Sequence, residues 1–423
     1  MPGPTHAPSV RLIRWNVGSN HAEPPRMSMC SRPTKPAETC AGWGMIGAGT
    51  ALIAACYGLA RFAYGLFAPE FQATFQISQT VSGVIAAGSY IGYCIAIVVS
   101  LVLTEHFGAR RLAVTAGMMA TVGTGLVAIA PSTPILASGV VIAGSSTGIA
   151  SPPLAVAVSR WIREPIRDRA QTVVNAGTGI GVLVSGPIAL VVVDEWRWAW
   201  AVFAVLTAAT TMWVHLTIPF TNSERGARSG EREYVAGTTV MILGAFLMGL
   251  SSAAIWTFGR DLVTNNGGAS ATASILMWTV LGAAGVVGAL SGDLVERTGL
   301  VQSWTVVMVV MASATGVLAV APSSTVVIFV VAAVFGASYI ILTGLVLVWS
   351  TRIYPSQVSF GVGLSFLMIA VGQAVGAPLA GTLSEAFGAS TGFFTCAALG
   401  LVGAIVHPRS VGAGSDLRLH GDG

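Results

Sequence analysis

The sequence predicts an all-α membrane protein with twelve transmembrane helices in two pseudo-symmetric six-helix bundles. The supporting observations are the composition, a succession of apolar segments of spanning length, and an internal repeat. Apolar residues make up 54% of the 423 residues, and Asp, Glu, Lys and Arg only 9%. An ordinary soluble domain has roughly 25% charged residues. Because so few charges cannot cover the surface of a soluble protein of this length, we expect a lipid bilayer as its solvent.

From Trp43 onward, apolar segments alternate with short polar breaks, and each segment supplies the roughly 20 residues that a spanning helix needs. A charged linker, 220–234, separates the first six segments from the last six. We expect bundles at 43–219 and 235–407, between a disordered cytoplasmic tail at 1–42 and a second tail at 408–423. The expected spans are 43–67, 79–103, 112–131, 134–158, 171–193, 198–219, 235–258, 271–294, 303–321, 325–350, 358–382 and 390–407.

The arginines are distributed unevenly between the polar breaks. With the N-terminus inside, the outer breaks contain only Arg197 and Arg260, beside acids such as Glu70 and Asp261. Cytoplasmic segments of membrane proteins hold an excess of Lys and Arg. We therefore expect a multi-pass protein of the inner (plasma) membrane with both termini in the cytoplasm. The inner breaks contain Arg110, Arg111, Arg160, Arg163, Arg167, Arg169, Arg225, Arg228, Arg232, Arg297, Arg352 and Arg409.

The two halves match each other at one constant spacing. Gly108 and Gly299, each in the loop after the second span of its half, are 191 positions apart. Several matches in different spans share this offset without a gap, so they indicate a duplication rather than the general abundance of Gly and Pro in membrane helices. The further matches are 128–132 with 319–323, Pro187 with Pro378, and Gly58-Leu59 with Gly249-Leu250.

The loop motif in each half resembles that of the major facilitator superfamily. The second copy runs from Gly292 to Gly299 as Gly-Asp-Leu-Val-Glu-Arg-Thr-Gly. The first copy departs from the family at Leu101, where the family has Gly, and at His106, where it has Arg or Lys. The resemblance covers Trp43 to about His407, and 57–64, Tyr-Gly-Leu-Ala-Arg-Phe-Ala-Tyr, is further similar to the YbfB/YjiJ-like branch.

The resemblance implies a secondary active transporter whose two bundles alternately open a central site to either side of the membrane. It also implies that acids and arginines of the loop motif form a cytoplasmic latch that stabilises one access state, around glycines at Gly108, Gly292 and Gly299. The alternative is that these charges only set the membrane topology. The latch residues implied are Glu105, Arg110, Arg111, Glu296 and Arg297.

Gly186-Pro187 in the fifth span resembles the antiporter motif of the same superfamily, which implies efflux. The eleventh span has Gly376 and Pro378 at nearly equivalent positions. A feature present in both halves is also explained as a pseudo-symmetric kink and packing site. We take efflux as the first expectation and uptake as its alternative.

Arg61 is the only basic residue well inside an expected span. Tyr57, Arg61 and Tyr64 are spaced i, i+4, i+7, on one face of the first helix. The resemblance implies that the first, fourth, seventh and tenth helices line the cavity. We expect Arg61 to bind an anionic or carboxylate substrate; the alternatives are an ion pair with Glu70 or Asp261, or snorkelling to the interface.

Other polar or amphipathic residues inside the spans are further candidates for the substrate site, with interhelical hydrogen bonding as the alternative. Pro152-Pro153 in the fourth span predicts a helix interruption. No acid lies deep in an expected span, so proton coupling through a buried carboxylate has no support from the sequence. The further candidates are Asn175, Ser252 (which matches Arg61 in the repeat), Trp256, Tyr339 and Gln373.

Other function classes lack their motifs. The only lysine is Lys35, so no Walker A loop for ATP is present. The histidines and cysteines are scattered, so we expect no metal site, cofactor, enzymatic activity or nucleic-acid binding. The expected partners are the bilayer and a small-molecule substrate, and the expected state is a monomer. The alternative to a transporter is a receptor or sensor on the same fold.

Overall fold

The chain folds into long helices joined by short turns, and its described residues contain no β-strand. The computed structural model describes residues 3, 40–192, 195–219, 235–355 and 357–408. The expected linker and nearly all of both expected tails therefore lie outside the described residues. The first helix begins at Cys40, slightly earlier than expected. The boundaries proposed for the two bundles stay a prediction.

Eleven helices within the described ranges are long and apolar enough to cross a membrane, and a shorter apolar helix stands at the place of the twelfth expected span. We number them α1–α12, and the short helix Ala68–Phe75 stands between α1 and α2. The bounds are α1, Cys40–Ile53 continued by Ala54–Phe62 and Ala63–Leu66; α2, Gln79–Phe107; α3, Ala109–Ala128; α4, Thr133–Trp161; α5, Glu164–Val191; α6, Trp196–Thr217; α7, Thr238–Asp261 continued by Leu262–Asn266; α8, Ala271–Gly285 continued by Val286–Leu290 and Ser291–Thr298; α9, Leu300–Val320; α10, Thr325–Ile353; α11, Val358–Phe387; and α12, Ala389–Ile405.

Matching glycines turn the chain at equivalent places in the two halves. Gly108 lies between α2 and α3 with φ of 80°, and Gly299 lies between α8 and α9 with φ of 79°. A positive φ of this kind favours glycine, because a Cβ would meet the backbone. The repeat in the sequence therefore corresponds to a repeat in backbone conformation at the loop motif.

Proline does not interrupt the helices. The expected break at Pro152-Pro153 is wrong, since α4 is helical throughout Thr133–Trp161. The helices α5 and α11 likewise run through Pro187 and Pro378. Proline is tolerated inside membrane helices because neighbouring helices and Ser or Thr side chains satisfy the freed backbone groups.

Two π-helical segments break the symmetry of the repeat. Ala54–Phe62 in α1 is a π-helix, whereas its counterpart in the repeat lies in the regular α-helical part of α7. The second π segment, Leu262–Asn266, ends α7. The π segment of α1 contains Arg61. Such π turns are rare and occur frequently at functional sites.

The seventh span is longer than its expected limits, 235–258. The helix α7 continues through Arg260 and Asp261, each only 1% exposed. A second arginine and a carboxylate are therefore buried near the end of α7, beyond the limits expected for this span. The polar sequence after Phe258 suggests a loop, but its charged groups bond to residues of the other half, as described below.

Glycines allow close contact between helices of the two halves, with α2 against α11 and α5 against α8. A Cβ at Gly83 of α2 would lie 2.7 Å from the carbonyl oxygen of Ala377 in α11. A Cβ at Gly282 of α8 would overlap the backbone of Leu183 in α5. In a bilayer, where helix association depends on packing, such small residues determine how closely two helices approach.

We expect Gly282→Ala to destabilise the protein by about 1–3 kcal/mol, because the new methyl group forces α5 and α8 apart. Thermal unfolding in detergent, followed by tryptophan fluorescence, measures the effect. Gly316→Ala in α9 is the matched control, since its Cβ would meet only Ala397, at an ordinary 3.6 Å. Equal melting temperatures for the two variants would contradict the close contact at Gly282.

A buried arginine between the two halves

Arg61 links the first half of the chain to the second. Its side chain is 5% exposed within the π segment of α1. Its Nη2 donates a hydrogen bond to Oε1 of Gln373 in α11, at 2.5 Å. This bond joins residues 312 positions apart, so it crosses the interface between the halves.

Gln373 connects Arg61 to two further helices. Its Nε2 donates to the Tyr339 hydroxyl in α10 at 3.2 Å and to Oγ of Ser252 in α7 at 3.3 Å. Ser252 in turn donates to the backbone oxygen of Gly249. The amide of Gln373 is fully buried, and both of its ends are used, which holds its oxygen towards the guanidinium.

Aromatic rings surround the guanidinium. The carbon Cζ of Arg61 lies 4.7 Å from the ring centre of Tyr93 and 4.8 Å from that of Tyr90, both in α2. The rings of Phe62 and Tyr57 follow at 5.1 Å and 5.7 Å. The negative faces of aromatic rings attract a cation, so this cage stabilises the positive charge without neutralising it.

No carboxylate forms an ion pair with Arg61 within the described ranges. The two acids considered as partners bond elsewhere, Glu70 to Arg260 and Asp261 to two amides. Burial also excludes snorkelling to the interface. Among the residues that the structure describes, the Nε of Arg61 has no hydrogen-bond partner. The site is therefore a buried cation whose Nε is an unused donor and whose neighbours in this part of the chain are neutral.

A small cavity of about 20 Å³ adjoins Arg61, enough for about one water molecule. Four sequence candidates line it: Tyr57, Arg61, Asn175 and Tyr339. Asn175 of α5 donates to Thr343 of α10 at 3.3 Å, a second bond between the halves. The full lining is Tyr57, Arg61, Tyr93, Asn175, Thr178, Tyr339, Ile340, Thr343, Phe366, Ile369 and Ala370.

The other candidates lie around the cavity or away from it. Gln373 and Ser252 stand behind Arg61 in the network just described. Trp256 stacks on Phe62 at 3.9 Å, and its Nε1 is a buried donor without a partner in the described chain. Tyr64 points elsewhere, because its hydroxyl bonds to Ser82 of α2. The π geometry widens the turn between Tyr57 and Tyr64, so the helical spacing of these residues does not put them on one face.

Sequence reasoning named Asn175 and Gln373 but missed other residues that α2, α5 and α11 add to the site. Tyr90 and Tyr93 complete the aromatic cage, and Thr178 and Phe366 line the cavity. The only indication of the cage in the sequence was the i, i+3 spacing of Tyr90 and Tyr93 in an otherwise apolar span. The same spacing is equally typical of helix packing.

The latch suggested for the loop motif stays a prediction. Glu296 and Arg297 are exposed in α8, and neither makes a hydrogen bond or ion pair within the described chain. The side chain of Glu105 lies outside the described residues. Arg110 is half-buried at the start of α3 and Arg111 is exposed.

The glycine-proline pairs of α5 and α11 make different contacts. A Cβ at Gly186 would overlap Thr279 in α8, across the halves. A Cβ at Gly376 would lie 2.7 Å from the backbone oxygen of Leu250 in α7, within one half. Gly186 is therefore a packing residue between the halves, and the direction of transport inferred from Gly186-Pro187 stays a prediction.

The described residues form eleven apolar helices long enough to cross a membrane and a shorter twelfth, in two sequence-related halves with a polar site buried between them, which is the architecture of a secondary carrier. The chain belongs to the family described as the uncharacterised MFS-type transporter YbfB, whose model matches residues 53–408. Both the superfamily and the branch expected from the sequence are confirmed.

Two curated proteins are similar in sequence. The transcription regulatory protein OpdE of Pseudomonas aeruginosa is 24% identical over 373 residues, which is 82% of this chain and 91% of OpdE. The voltage-gated purine nucleotide uniporter SLC17A9 of Rattus norvegicus is 26% identical over 155 residues, covering 34% of this chain and 33% of its own.

Solved transporters share the fold at low sequence identity. A mutant of the nucleoside transporter NupG superposes with a TM-score of 0.68 at 12% identity, covering 86% of this chain and 98% of NupG. The human organic anion transporter MFSD10 gives 0.65 at 14%, covering 87% and 100%. A bacterial homologue of the lysosomal transporter Spinster, inward-facing and occupied, gives 0.67 at 13%, covering 85% and 95%.

Proposed function

We propose that this chain is a secondary active carrier of a small organic anion, with a carboxylate as the group it recognises. The observation that supports this is the environment of Arg61: a buried guanidinium, surrounded by rings and bonded, among the described residues, only to an amide oxygen. A buried charge is costly unless it is paired. A substrate carboxylate supplies the missing charge and an acceptor for the unused Nε.

In this proposal Oε1 of Gln373 occupies the position of a substrate oxygen. A carboxylate brings a full negative charge that the amide oxygen lacks, and it can accept from two guanidinium nitrogens at once, so in this proposal it displaces the amide from Arg61. Displacement breaks a bond between the halves. Substrate binding then weakens the contact that must separate when the two halves rock around the site.

We further propose that the chain is a monomer in the inner membrane with both termini in the cytoplasm, so the membrane end beside Arg260 faces outward. The excess of arginine in the opposite breaks supports this orientation. Efflux is the direction we test first, because Gly186-Pro187 resembles the antiporter motif.

Binding is tested with pairs of ligands that differ only in charge, such as benzoate with benzamide and acetate with acetamide. We expect carboxylates, and not their amides, to raise the melting temperature of the purified protein. Proteoliposomes loaded with the best carboxylate should then accumulate the radiolabelled compound by counterflow. Two outcomes would contradict an anion site at Arg61. One is an equal rise in melting temperature with acids and with their amides, and the other is no rise with any of a broad set of carboxylates.

A second candidate function is a membrane sensor that binds the same ligand without transporting it. The observation in its favour is the similarity to a protein named as a transcription regulator, over 91% of that protein. Flux separates the two functions, since a sensor binds the carboxylate in the thermal assay but gives no counterflow.

A further inference from the structure

A second buried arginine closes the outward end of the bundle. Arg260 of α7 donates from Nη1 to Oε2 of Glu70, at 2.6 Å, and to the backbone oxygen of Leu66. Its Nε donates to Ser274 in α8 at 3.0 Å. Because Glu70 and Leu66 belong to the first half and Arg260 to the second, this cluster joins the two halves.

The neighbouring carboxylate, Asp261, makes a tie of a different kind. Its Oδ2 accepts from Nε2 of Gln79 in α2 at 2.9 Å, and its Oδ1 accepts from Nδ2 of Asn265 at 2.7 Å. Asp261 is 1% exposed. Glu70 thus faces a guanidinium. Asp261, in contrast, bonds only to neutral amides within the described chain. Burying a carboxylate without a cation in this way is costly.

A third bond between the halves also ends on a carboxylate. Oε2 of Glu385 in α11 accepts from the backbone nitrogen of Thr80 in α2, at 2.9 Å. At this end of the bundle, then, three bonds between the halves each end on a carboxylate oxygen. Hydrogen bonds to an ionised acceptor are the stronger kind, so the contact depends on the negative charge of these groups.

We propose that Asp261 is a proton-binding site that couples opening of the outward end to proton uptake. A proton from the outer solution adds to Oδ2, and the ionised acceptor of the Gln79 bond becomes a neutral acid. No other bond forms or breaks in this step. The proton reaches Asp261 past Asn265, which is exposed, and Gln79, which is half-buried.

The other charged groups around Asp261 are few. Arg260 precedes Asp261 in α7 and pairs with Glu70 of the short helix Ala68–Phe75, and Glu385 of α11 bonds to Thr80, the residue after Gln79. Within the described chain, α2, α8, α9, α10 and α12 bring no charged side chain to this end. Since Arg260 is paired with Glu70, Asp261 is the carboxylate here whose charge is buried without a cation.

Spin labels at two exposed positions of this end measure the opening without any substrate. The labels are attached at Ala73→Cys in the first half and Asn266→Cys in the second, after the five native cysteines are replaced by alanine. We expect the label-to-label distance to shift to longer values as the pH is lowered from about 8 to about 4, the range over which carboxylates take up protons. We expect Asp261→Asn, which imitates the protonated form, to give the longer distance at every pH.

Two further variants separate the proton site from a merely structural tie. Gln79→Leu removes the donor but leaves Asp261, so it should also open this end at high pH. Glu195→Gln changes an exposed acid of the same end that makes no side-chain hydrogen bond within the described residues, so it should behave as the wild type. The proposal is overturned if the wild-type distance does not change with pH, or if folded Asp261→Asn keeps the full pH response. Neither outcome bears on anion binding at Arg61.

Discussion

Arg61→Ala should lose the affinity for carboxylates while the protein still folds. Truncating one partner of a buried, hydrogen-bonded charge pair costs about 2–5 kcal/mol of binding. The apparent affinity should therefore fall at least roughly 30-fold, since each 1.4 kcal/mol is a tenfold change. Arg61→Lys should be intermediate, because lysine keeps the charge but lacks the planar donor pair that matches a carboxylate. Carboxylate-dependent thermal stabilisation and counterflow measure both variants.

Arg352→Ala is the control for this experiment, since Arg352 is exposed near the C-terminal end of α10 and makes no ion pair within the described part of the chain. It should bind carboxylates as the wild type does. If Arg61→Ala is folded and binds carboxylates with unchanged affinity, Arg61 serves only to join the halves. In that case the anion proposal is wrong even if the protein proves to be a transporter.

The helices of this protein could be predicted from sequence because the bilayer imposes their length and polarity. The repeat was equally visible, and its strongest anchors, Gly108 and Gly299, share a backbone conformation. The end of α7 was misjudged for a physical reason. Arg260 resembles a loop charge when its neighbours in sequence are considered alone, and its partner Glu70 lies 190 positions away.

The candidate site was predicted in part. Arg61 stood out because a charge inside a span must be compensated, and the polar residues around it, Asn175, Tyr339 and Gln373, were named for the same reason. What could not be predicted was which partner compensates it. The π segment of α1 and the cage from α2 depend on how helices distant in sequence pack, and no local pattern encodes that packing.

The two buried arginines each make a contact between the two halves, at two different places. Arg61 holds the halves together at the centre through a neutral amide, a bond that an anion can replace. Arg260 holds them at one end through a carboxylate, beside a second carboxylate that a proton can neutralise. In the two proposals, an anion weakens the contact at Arg61 and a proton weakens the contact at Asp261. Because both contacts join the same two halves, the two species would act on the same equilibrium between access states.

Gln373→Glu should strengthen the contact between α11 and Arg61 and exclude the substrate from Arg61. The new carboxylate lies within hydrogen-bond distance of Arg61 and supplies the charge-assisted bond that we assign to the substrate. The hydroxyl of Tyr339 can turn to donate to it, whereas that of Ser252 can do so only by giving up its bond to the backbone oxygen of Gly249. We expect a higher melting temperature. We also expect the affinity for carboxylates to fall at least tenfold, which corresponds to about 1.4 kcal/mol of binding free energy.

Gln373→Leu is the matched variant that removes the competitor. Arg61 then has no acceptor from α11, so the ligand-free protein should melt at a lower temperature than the wild type. Carboxylates should raise its melting temperature by more than they raise that of the wild type, because they restore a buried bond that is missing. The same decrease in carboxylate affinity in both variants would show that Gln373 contacts the substrate directly rather than occupying its place on Arg61.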